Sequence, residues 1–129
     1  FPNGKIIAVW IALHDVNHEN GPLHYYPGSN KLPYIMNRDF GNQSTRLKLG
    51  NKTYSDYEDK IEQLLKENPT LEKQIFLAKK GDVLIWHANL LHGAQAKINK
   101  QSSRKSMVFH YYSKDAIAYH EISERPTLK

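Results

Sequence analysis

Lys5-Ile6-Ile7-Ala8-Val9-Trp10-Ile11-Ala12-Leu13-His14 is the stretch that decides the fold. Both alternating faces are apolar or nearly so, and the run is rich in β-branched and aromatic residues. That pattern predicts a β-strand covered on both sides. Asn20-Gly21-Pro22 is a strong turn signal behind it, and Leu23 to Tyr26 reads as a second short strand closed by Pro27-Gly28-Ser29-Asn30. Further along, Ile75 to Ala78 is short and apolar, and Lys80-Gly81-Asp82 turns into the strand Val83-Leu84-Ile85-Trp86. Leu90-Leu91-His92-Gly93 follows after a brief break. Arg104 to Tyr112 alternates, with Arg104, Ser106, Val108 and His110 on one face and Lys105, Met107, Phe109 and Tyr111 on the other. Ala116 to Ile122 is a candidate last strand.

Between these strands, Lys31 to Thr53 shows no clear period, which is long for an uninterrupted loop. Ser55 to Lys66 is expected to be helical, capped by Ser55 with Glu58 three residues on, and stopped at Asn68-Pro69. Residues 31–67 therefore read as a lid or insertion. The whole predicts an all-β sandwich or barrel with a helical insertion, in one domain spanning 1–129. A closed eight-strand double sheet needs more strands than these, and the missing ones would precede Phe1.

Composition narrows the function. The chain has 129 residues, 40% of them hydrophobic and 24% charged, as in ordinary globular domains. The absence of cysteine excludes disulfides, thiolate metal sites and a cysteine nucleophile. No apolar run is long enough to span a membrane. The charge is +5, from 18 basic and 13 acidic residues, but the lysines are scattered rather than arranged as a basic stripe, which argues against nucleic acid as a partner. The excess would still attract anionic small molecules. A cytoplasmic location is the default expectation.

Seven histidines make a metal site worth testing. A two-His-one-carboxylate iron site usually begins with His-x-Asp or His-x-Glu, and no acidic residue here has a histidine two positions upstream. His92 is the most suggestive histidine, at a Leu-Leu-His-Gly turn. Twelve residues on comes Arg104, with Ser106 on the same face. An arginine directed into a mostly apolar β-core needs an anionic partner, and a guanidinium beside a hydroxyl suits a carboxylate. On these residues alone, a structural histidine and an internal ion pair remain open alternatives.

Taken in order, Trp10-Ile11-Ala12-Leu13, Glu19-Asn20-Gly21-Pro22-Leu23, Tyr26-Pro27-Gly28-Ser29, Gly81-Asp82-Val83-Leu84-Ile85-Trp86-His87, Leu90-Leu91-His92-Gly93 and Ser103-Arg104-Lys105-Ser106 resemble the phytanoyl-CoA dioxygenase-like proteins. The resemblance runs from about Lys5 to Tyr112. It implies a double-stranded β-helix, or jelly roll, with Fe(II) and 2-oxoglutarate as cofactor and co-substrate. It also implies molecular oxygen and a small-molecule substrate that is hydroxylated with release of succinate and CO2. By the same resemblance His92 matches an iron ligand, Arg104 and Ser106 match the clamp on the distal carboxylate of 2-oxoglutarate, and Trp10 matches an aromatic position near it. Asn30 departs from the histidine usual after Pro-Gly-Ser. The missing His-x-Asp implies a chain that begins partway into a longer oxygenase and is inactive in isolation. The alternatives are a jelly-roll binding module that lacks the metal pair, and a cupin-like sugar-binding or lectin domain.

Overall fold

The computed structural model describes residues 5–43, 50–114 and 116. Six strands are found among them: β1 (Ile6–Ala12), β2 (Leu23–Tyr25), β3 (Gln74–Phe76), β4 (Val83–His87), β5 (His92–Ala94) and β6 (Ser106–Tyr112). The candidate strand after Ala116 lies outside the described residues. The strands form two antiparallel sheets of three, ordered β4-β1-β6 and β3-β2-β5.

The apolar run at the start of the chain takes the central place in the first sheet because both its backbone edges are bonded. Ile7 faces His87 on one side and Tyr111 on the other, and Trp10 faces Leu84 and Val108. Its even positions point inward. Ala8, Trp10 and Ala12 are buried and join Val16, Leu23, Ala78 and Trp86 in one core. Phe76 closes the contact between the sheets, its ring meeting the Trp10 indole edge-on at 5.9 Å. The odd positions differ from expectation. Ile7, Val83, Ile85, Met107, Phe109 and Tyr111 share the outer face and are exposed, so among the described residues β1 is covered on one side only.

The chain divides into two compact units. The six strands lie in the one that holds residues 4–32 and 71–114, and residues 33–70 fall in the other. In that second unit a 3-10 turn (Asn37–Phe40) is followed by α1 (Tyr54–Glu67). The cap lies two residues before the one expected at Ser55. Thr53 is the N-cap, and Asp56, not Glu58, completes the box: the Asp56 carboxylate accepts from the Thr53 N–H at 2.7 Å and the Thr53 hydroxyl accepts from the Asp56 N–H at 3.4 Å. Both Thr53-x-x-Asp56 and Ser55-x-x-Glu58 have the form of a capping box. The former is the one that forms; capping at Thr53 adds Tyr54 to the helix, where its ring lies 5.9 Å from that of Tyr57, which in turn meets Phe40 edge-on. Asn68 ends the helix, its amide donating to the Leu64 carbonyl at 2.8 Å.

Candidate functional site

β6 places Ser106 opposite Ala12 and Val108 opposite Trp10, so Ser106 and Trp10 lie on the inner face of the same sheet. Trp10 is 2% exposed and built into the core. Arg104 stands two residues before β6. Its guanidinium is half-buried and reaches the Asn20-Gly21-Pro22 turn rather than apolar core, donating from Nη1 to the Gly21 carbonyl at 2.5 Å. Among the described residues no carboxylate pairs with it. A guanidinium has five donors, so most of its capacity is uncommitted.

Arg104 lines an open cavity of about 320 Å³, the size of a small-ligand site. Asn20, Gly21, Gln95, Lys97, Ser102 and Ser103 share the lining, with the Lys97 ammonium donating to the Ser102 carbonyl, and among the described residues no acidic side chain does. Two cations with no carboxylate make this cavity suited to an anion. Ser106, Trp10 and His92 are not among the lining residues.

His92 opens β5, in the other sheet. Its Nδ1 lies 2.8 Å from the Leu90 carbonyl. A carbonyl only accepts, so Nδ1 carries a proton, and in the neutral imidazole the lone pair is then on Nε2. That is the arrangement of metal-binding histidines, whose second nitrogen donates to a backbone oxygen. The imidazole is exposed and stacks obliquely on Trp86, ring centres 4.8 Å apart. Leu91 is gripped from both sides: its N–H donates to the Ser29 hydroxyl at 2.8 Å, and its carbonyl accepts from the Tyr26 N–H at 3.0 Å. Gly28, at φ +87°, makes the turn that delivers Ser29, which is 1% exposed. Ser29 thus fixes the entry to β5, a role its Pro-Gly-Ser setting suggested only as a turn.

His24 lies against the opposite side of β5. A Cβ on Gly93 would come within 2.9 Å of the His24 ring, so glycine is what lets the imidazole sit on that strand. Burial first, then the charges of Lys73 and His92, hold the His24 pKa below the ordinary imidazole value. Its Nδ1 is buried without a partner among the described residues. The other histidines have plainer settings. His87 Nδ1 accepts from the Asn89 N–H at 3.0 Å, and His14 Nδ1 meets the Ser103 hydroxyl at 3.0 Å.

Among the described residues, no three His, Asp or Glu side chains group as a metal site. The donor chemistry present fits one nitrogen ligand of an iron, His92, and one cationic clamp for a carboxylate, Arg104.

This arrangement of two facing antiparallel sheets is the jelly-roll fold of the non-heme 2-oxoglutarate (alpha-ketoglutarate) enzymes. Two of these, the epimerase SnoN and the carbocyclase SnoK of nogalamycin biosynthesis, superpose with TM-scores of 0.60 at 23% and 24% identity, covering 88% and 87% of this chain and 37% and 38% of theirs. The sequence profile of the phytanoyl-CoA dioxygenase (PhyH) family matches residues 1–106, and the chain belongs to that family. It is 27% identical over 114 residues to the peroxisomal phytanoyl-CoA dioxygenase of Rattus norvegicus, covering 88% of this chain and 30% of that protein. The chain thus spans about a third of the length of the relatives it matches. No helix among the described residues is long and apolar enough to cross a membrane.

Proposed function

We propose that this chain is the part of an Fe(II)- and 2-oxoglutarate-dependent dioxygenase that contributes one iron ligand and the co-substrate clamp. The observation that carries this reading is Arg104. It is a half-buried cation at a cavity without acidic side chains, and its only partner among the described residues is a backbone carbonyl. A cation so placed, with most of its donors uncommitted, favours an anionic ligand. Membership of the phytanoyl-CoA dioxygenase family supports a dicarboxylate as that anion; in this reading its distal carboxylate lies on Arg104, with Ser106 two residues on as the second partner.

In this reading the His92 Nε2 lone pair binds iron, and the Nδ1–H bond to Leu90 keeps the ring in the required tautomer. Arg104 orients the co-substrate by a bidentate charge-assisted contact. Trp86, stacked on the His92 ring, shields that side of the ligand from water, and Trp10 lies in the core behind it. The bound iron and 2-oxoglutarate supply the activation of oxygen. The overall reaction consumes O2 and 2-oxoglutarate: one oxygen atom enters a C–H bond of the small-molecule substrate as hydroxyl, the other enters succinate, and CO2 is released. Residues 31–67 are the substrate cover in this reading.

The test is isothermal titration of the protein, produced with its upstream coding sequence, with 2-oxoglutarate in the presence of Fe(II) under anaerobic conditions. The expected result is stoichiometric binding of both, and succinate on admitting oxygen. Fold retained with neither ligand bound would favour a non-catalytic jelly-roll module.

A further inference from the structure

Arg104 is not aimed by its own strand. It precedes β6, and what fixes it lies more than eighty positions back in the chain, in the 15–22 loop. Asn20 is the centre of that loop. It is 6% exposed, and both ends of its amide are used. Its Oδ1 accepts from the Asn17 N–H at 2.9 Å, and its Nδ2 donates to the Asp15 carbonyl at 2.9 Å and the Ser103 carbonyl at 3.3 Å. The next residue, Gly21, supplies the carbonyl that receives the Arg104 guanidinium. Gly21 stands at φ +79°, and a Cβ there would meet the Gln95 carbonyl at 3.0 Å, so the turn accepts glycine alone without strain. Consecutive residues 20 and 21 thus hold consecutive residues 103 and 104, one through a side chain and one through the backbone.

We propose that Asn20 is the positioning residue of the anion clamp: it ties the Ser103 backbone to the loop whose Gly21 carbonyl orients Arg104. Asn20 need not touch the anion itself. Its amide fixes the separation between the Gly21 oxygen and the stem of Arg104, and so the direction in which the free guanidinium N–H groups point into the cavity. This inference rests on the reading of Arg104 as the carboxylate clamp.

The test is a double-mutant cycle on the full protein, read as the dissociation constants of 2-oxoglutarate and of glutarate, which has the distal carboxylate but lacks the 2-oxo group. Tryptophan fluorescence and calorimetry report binding, and thermal melting reports folding. Asn20→Ala is expected to weaken both ligands roughly 10-fold. The double variant N20A/R104A is expected to bind no more weakly than R104A alone, because the two residues act through one guanidinium. Asn17→Ala is the control. It removes bonds inside the same loop, from the N–H groups of Glu19 and Asn20, without touching residues 103 and 104. A merely structural role for the loop would make N17A and N20A equivalent in ligand affinity, and that result would overturn the proposal. Additive losses in the cycle, or an unchanged N20A, would do the same. An unchanged R104A would instead sink the clamp reading, and with it this inference. If N20A does not fold, Asn20→Ser takes its place in the cycle under the same criteria; it keeps an oxygen for the Asn17 N–H but does not reach Ser103.

Discussion

His92 and Arg104 are held by opposite means. His92 is fixed locally: by the carbonyl two residues before it, by the ring of Trp86, and by the grip of Ser29 and Tyr26 on its neighbour Leu91. Arg104 is fixed remotely, by a polar loop from the other end of the chain. A ligand atom on a metal needs one lone pair in one direction, which a tautomer and a stacked ring supply. A clamp on a carboxylate needs two donors in a plane, and a long side chain holds that plane only if a second element braces it.

The largest expected effect comes from breaking the local arm outright. His92→Ala is expected to lower succinate formation by more than about 100-fold while the protein still folds, as judged by melting. Normal turnover would remove His92 from the site. Breaking the remote arm should be milder and of a different kind. Arg104→Ala is expected to weaken 2-oxoglutarate by about 2–3 kcal/mol, roughly 30- to 150-fold, with iron affinity little changed. Equal loss of both would show that the two arms are not separable. Ser29→Ala sharpens the contrast, since it strips the Leu91 N–H of its acceptor beside His92. Iron affinity should fall roughly 10-fold and 2-oxoglutarate affinity through Arg104 hardly at all, both read by calorimetry.

Two smaller effects should leave both arms untouched. Thr53→Ala removes the α1 cap and is expected to cost about 1 kcal/mol in chemical denaturation, with no change in 2-oxoglutarate binding. The same cap responds to acid. The Thr53 N–H, then the Thr53 hydroxyl and the Lys52 ammonium, hold the Asp56 carboxyl below its ordinary 3.8. With the folded value depressed, the contribution is complete above 3.8 and disappears as pH falls through the folded value. Helical circular dichroism should therefore decline more steeply below pH 3.8 in the parent than in Asp56→Asn.

The sheets were legible in the sequence because their residues repeat at the period of the structure. Ser106 to Tyr112 alternates, and Ile6 to Ala12 is an unbroken run of apolar, largely β-branched and aromatic residues; the two pair in register from Ile6–Tyr112 to Ala12–Ser106. The helix boundary was less so, because two overlapping capping boxes compete, and the one that forms also brings Tyr54 against Tyr57. The region around Asn37 and Asn42 gave no signal at all. There the Asn42 amide donates to the Asn37 side chain at 2.9 Å, and its oxygen receives the Lys52 N–H at 3.2 Å. Bonds of that kind have no sequence period. The candidate site divides in the same way. Resemblance pointed to His92, Arg104, Ser106 and Trp10, but not to Asn20 or Ser29, whose work consists of contacts across the chain. The expected cover on the outer face of β1 was inferred from hydrophobicity alone, which cannot distinguish a covered face from an exposed apolar one.

The central position of β1 has a consequence for synthesis. Its two partners are β4 and β6, which begin roughly 70 and 95 residues after β1 ends. At about 5–20 residues per second, the most apolar strand of the chain leaves the ribosome roughly 5–20 s before its second edge can be bonded. Throughout that interval Ile6 to Ala12 is a hydrophobic strand with at least one edge unbonded. Yield in a cell should then depend on chaperones that shield nascent chains, and a slower translation rate between codons 12 and 106 would lengthen the exposure.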